Sequence, residues 1–368
     1  MNMQPAAVSF LPSYQYFLPL MQILECPRTG GHLTLSAFED VLALLSPRQV
    51  SQIPDGTSAF LVSAEAKVAY PIRGLICSFL SSEEIHIDGK IPSGTVTRDD
   101  EIKRSVKRFY DDHGWQPNEA GIYHDTADHS DIDCGAYRLY EIETNLALLK
   151  NLMQGEFMLD AASGAIAMAE YLSYSWFFKH RVCVDLSYTA LQQASQKLGT
   201  SGFYVLADIC RLPFRADVFD GIVSGYTIQH IPYEQQETAV AELYRVLRPG
   251  KCANIVTAVG EQWFRAFSLK VWHVFRKPRC LPFPEGKRLY IAAHKRKWWY
   301  QVGKRLGANV HAKSFRLLAK REFEILFRNS HRIMYLIHAV ETIFPKVSAW
   351  FAALLWVELK KPATPPRL

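Results

Sequence analysis

Residues 157–258 alternate short apolar strands with amphipathic helices, and this alternation constrains the fold more than any other feature of the chain. Near-continuous apolar strands separated by helices are typical of a parallel sheet that is covered on both faces. The sequence therefore predicts an α/β fold with a mostly parallel sheet flanked by helices. The predicted strands are Phe157–Asp160, Arg181–Asp185, Phe203–Asp208, Gly221–Gly225 and Ala253–Ala258, and the predicted helices are Ala190–Leu198 and Glu234–Leu247.

The chain has 368 residues, which is too long for one ordinary core, so further units must flank this sheet. Short apolar runs between turn signals such as Pro54-Asp55-Gly56 predict a small β-rich unit before it. The segments predicted after it are a helix over Ala312–Lys320, a strand near Glu322–Phe327, a helix from Ile333 interrupted at Pro345, and a strand over Leu354–Leu359. The predicted domains are 1–96 (the β-rich unit), 97–150 (a helical lid or N-terminal extension, with a helix over Tyr137–Met153), 151–260 (a Rossmann-like core) and 261–368 (a basic cap insertion and the last strands of the sheet).

The positive charge is concentrated in one segment. Residues 1–269 contain 21 Lys and Arg against 31 Asp and Glu, whereas residues 270–332 contain 17 against 3, a net charge of +14. A basic segment interleaved with aromatic residues, such as Trp298-Trp299-Tyr300, can bind an anionic substrate, a membrane surface or nucleic acid, or can form a solvated cap. We expect an anionic or membrane-associated partner rather than RNA, because the sequence contains no RRM or KH signature.

The cysteines and the termini predict a cytoplasmic protein, with peripheral membrane contact through the basic segment as an option. Seven scattered cysteines without a CxxC pair indicate reduced thiols rather than a disulfide framework. The first positive charge is Arg28, so the basic start of a secretory signal is missing. The longest late apolar stretch, Val347–Val357, has 11 residues and is too short to span a bilayer.

Acidic residues stand at the ends of three successive predicted strands. Asp160 leads into the small-residue turn 161–165, where a ligand can approach the backbone closely. Asp185 stands where an acid can accept hydrogen bonds from both ribose hydroxyls, and Asp208 where an acid can accept from an adenine amino group. A single acid at a strand end is more often a cap or turn residue. The ordered set predicts a nucleoside-containing cofactor.

A dinucleotide oxidoreductase is the natural alternative. It needs a glycine-rich loop that holds a pyrophosphate against a helix N-terminus, and this loop contains only Gly164. Asp160 lies just before the loop, where its charge would repel a pyrophosphate but can help to hold the ammonium group of a methionine. Charge therefore favours S-adenosylmethionine over NAD.

The ordered segments LDAASGAIA, VCVDLSYTALQQAS, LADICRLPFRADVFDGIVSGYTIQHI and ELYRVLRPGK resemble the successive motifs of class I S-adenosylmethionine-dependent methyltransferases of the small-molecule branch. The resemblance covers residues 97–260 and implies a Rossmann-like fold, S-adenosylmethionine as cofactor, and methyl transfer to a small-molecule or lipid-linked acceptor. An RNA methyltransferase and a degenerate, non-catalytic binding protein are the alternatives. One departure is that Ala162 and Ile166 replace two of the three usual loop glycines. The implied cofactor-binding residues are Asp160, Ala162, Ser163, Gly164, Asp185, Leu186, Asp208, Ile209 and Gly225.

The N-terminal unit carries a weaker resemblance. The segments LECPRTGGHLTL and VAYPIRGLICSFL are similar to the zinc-ribbon-like domain of tRNA-methyltransferase activators. The metal-binding form needs CPxC and a second Cys pair, but Thr29 stands where the ligand after Cys26 would be. Because four ligands cannot be assembled, we expect a packing unit without metal.

Tyr226 and His230 follow the fourth strand on the side where an acceptor should enter, and they are the predicted catalytic residues. Transfer to a hydroxyl requires a proton to leave, and an imidazole with a near-neutral pKa suits that task. A thiol or carboxylate acceptor would need no such base. A histidine that caps the turn before Pro232 is the structural alternative, and His124 and His129 are competitors for the role.

Overall fold

The computed structural model describes residues 14–89, 95–119, 121–129, 135–152, 154–260, 289–318, 320, 323, 327 and 330–363. Within this part of the chain, one twelve-stranded sheet runs through the molecule. Its strands are β1 (Thr34–Ala37), β2 (Ala59–Ser63), β3 (Val68–Arg73), β4 (Ile76–Ser78), β5 (Ile85–His86), β6 (Gly155–Ala161), β7 (Phe178–Asp185), β8 (Gly202–Leu206), β9 (Gly221–Gly225), β10 (Cys252–Ala258), β11 (Asn309–Arg316) and β12 (Leu354–Lys360). The helices are α1 (Tyr14–Met21), α2 (Phe38–Leu42), α3 (Pro47–Val50), α4 (Arg98–Phe109), α5 (Gly135–Ala147), α6 (Tyr188–Leu198), α7 (Gln236–Val246), α8 (Arg296–Leu306), α9 (His331–Ile343) and α10 (Pro345–Ser348).

The central strands lie in the order β8-β7-β6-β9-β10-β12-β11. The first five of these are mutually parallel, and β12 runs antiparallel between β10 and β11. The interior of β7, Val182 to Val184, is fully buried, as expected for a strand that is covered on both faces. The predicted Rossmann-like, mostly parallel sheet is therefore confirmed. This order brings the carboxyl ends of β6, β7, β8 and β9 to one edge.

The predicted β-rich N-terminal strands are present, but they do not form a separate sheet. Strands β1 to β4 form an antiparallel meander, and β4 then pairs in parallel with β8, with Cys77 opposite Val205. Helix α1 adds to the same core, since Leu20 is fully buried and the Tyr16 hydroxyl donates to the Gly202 carbonyl over 2.5 Å. The N-terminal unit therefore extends the core sheet by backbone hydrogen bonds.

The predicted helix over Ala312–Lys320 is wrong, because residues 309–316 form strand β11. The segment has no marked helical period, and its backbone hydrogen bonds are made with β12, where Ala312 lies opposite Val357. The pairing of β11 with β12 therefore decides the conformation of this segment, and its local sequence pattern does not. Only Phe323 and Phe327 are described within the predicted strand near Glu322–Phe327, and both are helical. The rest of that prediction lies outside the described residues.

The remaining C-terminal predictions are confirmed. Helix α9 ends at Ile343, and Pro345 begins α10, a position where the missing N–H of proline costs nothing. Strand β12 begins at Leu354 as predicted. No helix among the described residues is both long and apolar enough to cross a membrane.

The expected absence of zinc remains a prediction. In the described part of the chain, no cluster of His, Cys, Asp and Glu could hold a metal ion. Cys26 is buried, and its sulfur lies 3.4 Å from the Tyr70 hydroxyl. We expect metal analysis of the purified protein to find no zinc. One tightly held zinc per chain would contradict this expectation.

Candidate active site

A cavity of about 360 Å3 lies at the carboxyl edge of the central strands. Its wall includes ten of the predicted site residues, contributed by the segments that follow β6, β7, β8 and β9. They are Ala162, Ser163, Gly164, Asp185, Leu186, Asp208, Ile209, Gly225, Tyr226 and His230. Residues from four separate strand ends thus converge on one space, as expected at this edge of an open α/β sheet.

The structure does not bring Asp160 to the cavity wall. Its carboxylate is buried and pairs with the guanidinium of Arg181, whose Nε donates to Oδ2 over 3.1 Å. Arg181 also donates to the Tyr171 carbonyl over 2.7 Å. Asp160 therefore anchors the base of the loop, and its predicted contact with a methionine ammonium group remains a prediction.

The loop after β6 adopts the backbone of a glycine loop although two of its glycines are replaced. Ala162, Gly164 and Ile166 have φ angles of 59°, 55° and 50°. This left-handed region is costly for residues with a Cβ atom, above all for a β-branched one. At Gly164 an added Cβ would lie 2.5 Å from the ring of Trp115, so this position requires glycine. Ala162 and Ile166 therefore keep the backbone conformation of the glycine loop, at the cost of strain at both positions.

Ala162→Gly should stabilise the protein. Glycine relieves the left-handed strain, which is partly offset by its larger conformational entropy in the unfolded chain, so we expect a gain of about 1 kcal/mol in the free energy of unfolding. Urea denaturation measures the change. The matched control is Ala167→Gly, in the same loop but without a positive φ, which should be destabilising. Equal destabilisation by both variants would contradict the strain at Ala162.

Asp185 lies at the end of β7 with both carboxylate oxygens facing backbone donors. Oδ2 accepts a hydrogen bond from the Gly164 N–H and Oδ1 accepts one from the Ser187 N–H, each over 2.9 Å. Burial raises the pKa of this carboxyl group to about 6. Asp185 thus ties the loop after β6 to the end of β7. Its oxygens keep further lone pairs with which to accept from the hydroxyls of a ribose.

Asp208 follows β8 by two residues and is held by a lysine from a distant helix. Its Oδ1 accepts from the Cys210 N–H over 2.9 Å, and its Oδ2 accepts from Lys103 Nζ over 2.5 Å. Lys103 lies on α4 and lines the cavity, yet no feature of the sequence around it predicted this contact. The contact binds the predicted lid segment to the candidate adenine end of the site.

The predicted lid lies over the loop after β6. Tyr110 and Trp115 both line the cavity, and their rings stack at a centroid distance of 5.4 Å. The Trp115 ring lies directly against Gly164. Asp111 fixes the segment from the other side, because its carboxylate accepts from the Ser187 hydroxyl over 2.5 Å. The segment thus forms part of the cavity wall, and its role as a lid remains a prediction.

His230 and Tyr226 line the cavity next to Gly225. The Nδ1 atom of His230 lies 2.8 Å from the Tyr290 carbonyl oxygen. Because a carbonyl can only accept, Nδ1 carries the proton, and the lone pair of the neutral ring lies on Nε2. Burial lowers the pKa of His230, whereas burial raises the pKa of Tyr226 to about 12. His230 is therefore the better base of the two near neutral pH.

One end of the cavity is lined by charged and amide groups that sequence reasoning missed. Arg316 on β11 donates to Glu141 over 3.1 Å and to the Asn145 side-chain oxygen over 3.0 Å. Arg138 forms a two-point pair with Glu170 over 2.9 and 2.8 Å. Arg138, Glu141 and Asn145 stand at i, i+3 and i+7 on α5, so one helix face could have indicated them. Nothing local indicated Arg316.

Part of the chain is similar to known methyltransferases. Residues 159–253 match the family described as "Methyltransferase domain". The demethylmenaquinone methyltransferase of Protochlamydia amoebophila is 33% identical over 122 residues, 30% of this chain and 50% of that protein. The malonyl-[acyl-carrier protein] O-methyltransferase of Salmonella typhimurium is 36% identical over 115 residues, 30% of this chain and 43% of that protein. The chain thus spans half or less of the length of these relatives.

Among solved structures, the chain is similar to phosphoethanolamine N-methyltransferase 2 of Haemonchus contortus. The two are 19% identical, with a TM-score of 0.39, over 65% of this chain and 59% of the other. Residues 159–253 thus match a methyltransferase family model and contain the central strands of a Rossmann-like sheet, and their strand ends contribute one part of the cavity wall.

The cavity residues fit S-adenosylmethionine in chemistry. Asp185 and Asp208 offer acceptors to a diol and to an amino-purine, and the loop of small residues after β6, next to the end of β7, leaves the backbone accessible. The charged and amide groups at the other end can pair with an amino-acid moiety, which carries one positive and one negative charge.

Proposed function

We propose that the chain is an S-adenosylmethionine-dependent methyltransferase that acts on a small-molecule or lipid-linked, anionic acceptor. One observation carries the proposal: Asp185 and Asp208, from neighbouring strands, line the same cavity as the small-residue loop after β6. This is the arrangement that a nucleoside cofactor needs. When bound, the cofactor would supply an electrophilic methyl group, and the chain would supply binding, alignment and exclusion of water.

The acceptor class is supported by charge. Residues 270–332 carry a net charge of +14, which comes from Lys and Arg side chains. Guanidinium groups recognise carboxylate and phosphate in a two-point geometry. One relative is a demethylmenaquinone methyltransferase and another acts on malonyl-[acyl-carrier protein], so similarity alone does not select one acceptor.

Two measurements on the purified full chain test the proposal. In calorimetry, S-adenosylmethionine should bind and NADH should not. With cofactor labelled in the methyl group, the label should appear in a lipid or small-molecule extract and not in structured RNA. If the chain does not bind S-adenosylmethionine, the alternative of a non-catalytic binding protein is favoured. If the label appears in RNA, the alternative of an RNA methyltransferase is favoured.

The affinity for S-adenosylmethionine should fall as the pH drops through about 6. The pKa of Asp185 is raised from 3.8 to about 6, and ribose hydroxyls donate best to the charged carboxylate. Below this pKa the loss should approach about tenfold per pH unit. Calorimetry between pH 5 and 8 measures this affinity. The Asp185→Asn variant should bind S-adenosylmethionine weakly, with an affinity that is nearly independent of pH over this window.

The stability of the cofactor-free protein should show the opposite trend for this group. A raised folded-state pKa means that the fold favours protonated Asp185. The contribution of Asp185 to the free energy of unfolding is fully present below its ordinary pKa of 3.8 and is lost as the pH rises through about 6.

If the affinity of the wild-type protein for S-adenosylmethionine stays constant from pH 5 to 8, the assignment of Asp185 to the cofactor site is contradicted.

A further inference from the structure

Helices α9 and α10 turn an apolar stripe toward solvent. Leu336, Ile343 and Val347 are 64%, 66% and 57% exposed; positions 336, 340 and 343 share one face of α9, and Val347 lies on α10. A cluster of exposed apolar side chains of this kind is typical of a surface that contacts a partner or a membrane. We call this surface the outer face of α9–α10. Its exposed members are Tyr335, Leu336, Val340, Ile343, Phe344, Val347, Trp350 and Phe351.

The opposite side of α9 is packed, so the outer face cannot turn inward. Met334 and Ile337 are buried against the core. Glu341 is also buried and accepts hydrogen bonds from the Tyr140 hydroxyl over 2.6 Å and the Ser314 hydroxyl over 2.8 Å. These bonds fix α9 on α5 and β11, so its apolar stripe faces outward in the folded protein.

The exposed charges on the segment that carries the outer face are basic. Glu341 is the only acid among residues 331–351, and it lies beneath the helix. The exposed Arg332 and Lys346 stand on the segment, and the Arg296 guanidinium lies 3.7 Å from the centre of the Trp350 ring. A helix with aliphatic and aromatic residues outward and basic groups at its rim is typical of an element that lies in the interface of an anionic membrane.

We propose that the outer face of α9–α10 is a docking surface for an anionic lipid bilayer. The apolar stripe enters the boundary between head groups and acyl chains, and Arg332, Lys346 and Arg296 contact the lipid head groups. A second copy of the chain fits less well, since two such basic surfaces would repel each other.

The docked orientation also bears on the cavity. Helix α5 and strand β11, on which α9 packs, carry Arg138, Glu141, Asn145 and Arg316 of the cavity wall. The bilayer would therefore lie one layer of structure away from the charged end of the site. This consequence rests on the proposed function, because it would bring a lipid-linked acceptor close to the cavity. The docking itself requires no methyl transfer.

Co-sedimentation of the full chain with vesicles tests the docking. Wild-type protein should bind vesicles of phosphatidylcholine mixed with phosphatidylglycerol and bind poorly to phosphatidylcholine alone. The double variant Leu336→Gln, Ile343→Gln should lower binding by about tenfold or more, because two apolar side chains no longer enter the membrane. Lys346→Gln should lower binding to the anionic vesicles by about fivefold.

The matched control is the double variant Leu44→Gln, Val96→Gln, which makes the same chemical change at residues that are 61% and 54% exposed elsewhere. It should bind vesicles like the wild type. Equal loss in both double variants, or no loss in the α9 variant, overturns the proposal. So does a dimer in solution that only the α9 variant dissociates, since a second copy would then cover the face. Cofactor affinity, measured separately, reports on the proposed function alone.

Discussion

Asp185→Ala should weaken S-adenosylmethionine binding by about 2–4 kcal/mol, on the order of a hundredfold in Kd. The variant removes the acceptor at the end of β7 for two ribose hydroxyls. It also releases the Gly164 N–H, which Asp185 holds at 2.9 Å, so the loop after β6 loses a support. Both effects lower affinity. Calorimetry at pH 8, where the carboxyl group is ionised in the wild type, gives the full difference.

Two controls separate binding from folding. Asp40→Ala removes an exposed carboxylate from α2 and should leave affinity unchanged. Thermal unfolding of Asp185→Ala without cofactor shows whether the variant is folded. Unchanged affinity in a folded Asp185→Ala protein would remove Asp185 from the cofactor site.

His230→Ala should slow turnover roughly 10²–10⁴-fold on a hydroxyl acceptor while leaving cofactor binding nearly intact. The Tyr290 carbonyl fixes the tautomer, so the lone pair of the neutral ring lies on Nε2, 3.4 Å from the Gln229 side-chain nitrogen, and a hydroxyl acceptor would take the place of this contact to give its proton to Nε2. Burial lowers the pKa of His230, which keeps the ring neutral at pH 7. The acid limb of the wild-type pH–rate profile should disappear in the variant.

The control for this variant is His124→Ala. His124 is exposed, stacks on His113 at a centroid distance of 4.6 Å, and does not line the cavity. The His124→Ala variant should have the turnover rate of the wild type. If His230→Ala also turns over at the wild-type rate on the true acceptor, His230 is a structural residue that packs the turn before Pro232.

The strand–helix alternation of residues 157–258 was sufficient to predict the core. Strand β9 begins and ends at the predicted residues, and the other core strands differ from prediction by a few residues at their ends. The interiors of these strands are mostly apolar because both faces are buried, so runs of apolar residues mark them in the sequence. The carboxyl-edge rule then placed Asp185 and Asp208 in one cavity, since parallel strands in this order must end at the same edge.

The sequence failed where the decisive interaction is long-range. Residues 309–316 form a strand because β12 supplies the hydrogen-bond partners, at separations of 38 residues (Arg316 and Leu354) to 51 residues (Asn309 and Lys360), and the local sequence pattern does not indicate this pairing. Strand β4 joins the sheet because β8 offers an open edge to its backbone. Backbone pairing of this kind carries little sequence signal, because it uses groups that every residue except proline possesses.

The sequence by itself determined the class of fold and the residues at the strand ends, because hydrophobic period and turn chemistry are local properties. Only the tertiary structure decided which distant side chains complete the site. Lys103 reaches Asp208 from α4, and Arg316 reaches Glu141 from β11. The tertiary structure also showed that Asp160 pairs with Arg181 and that the apolar stripe of α9 faces outward. The physical reason is that these features depend on which elements pack together, and packing is decided by the whole chain.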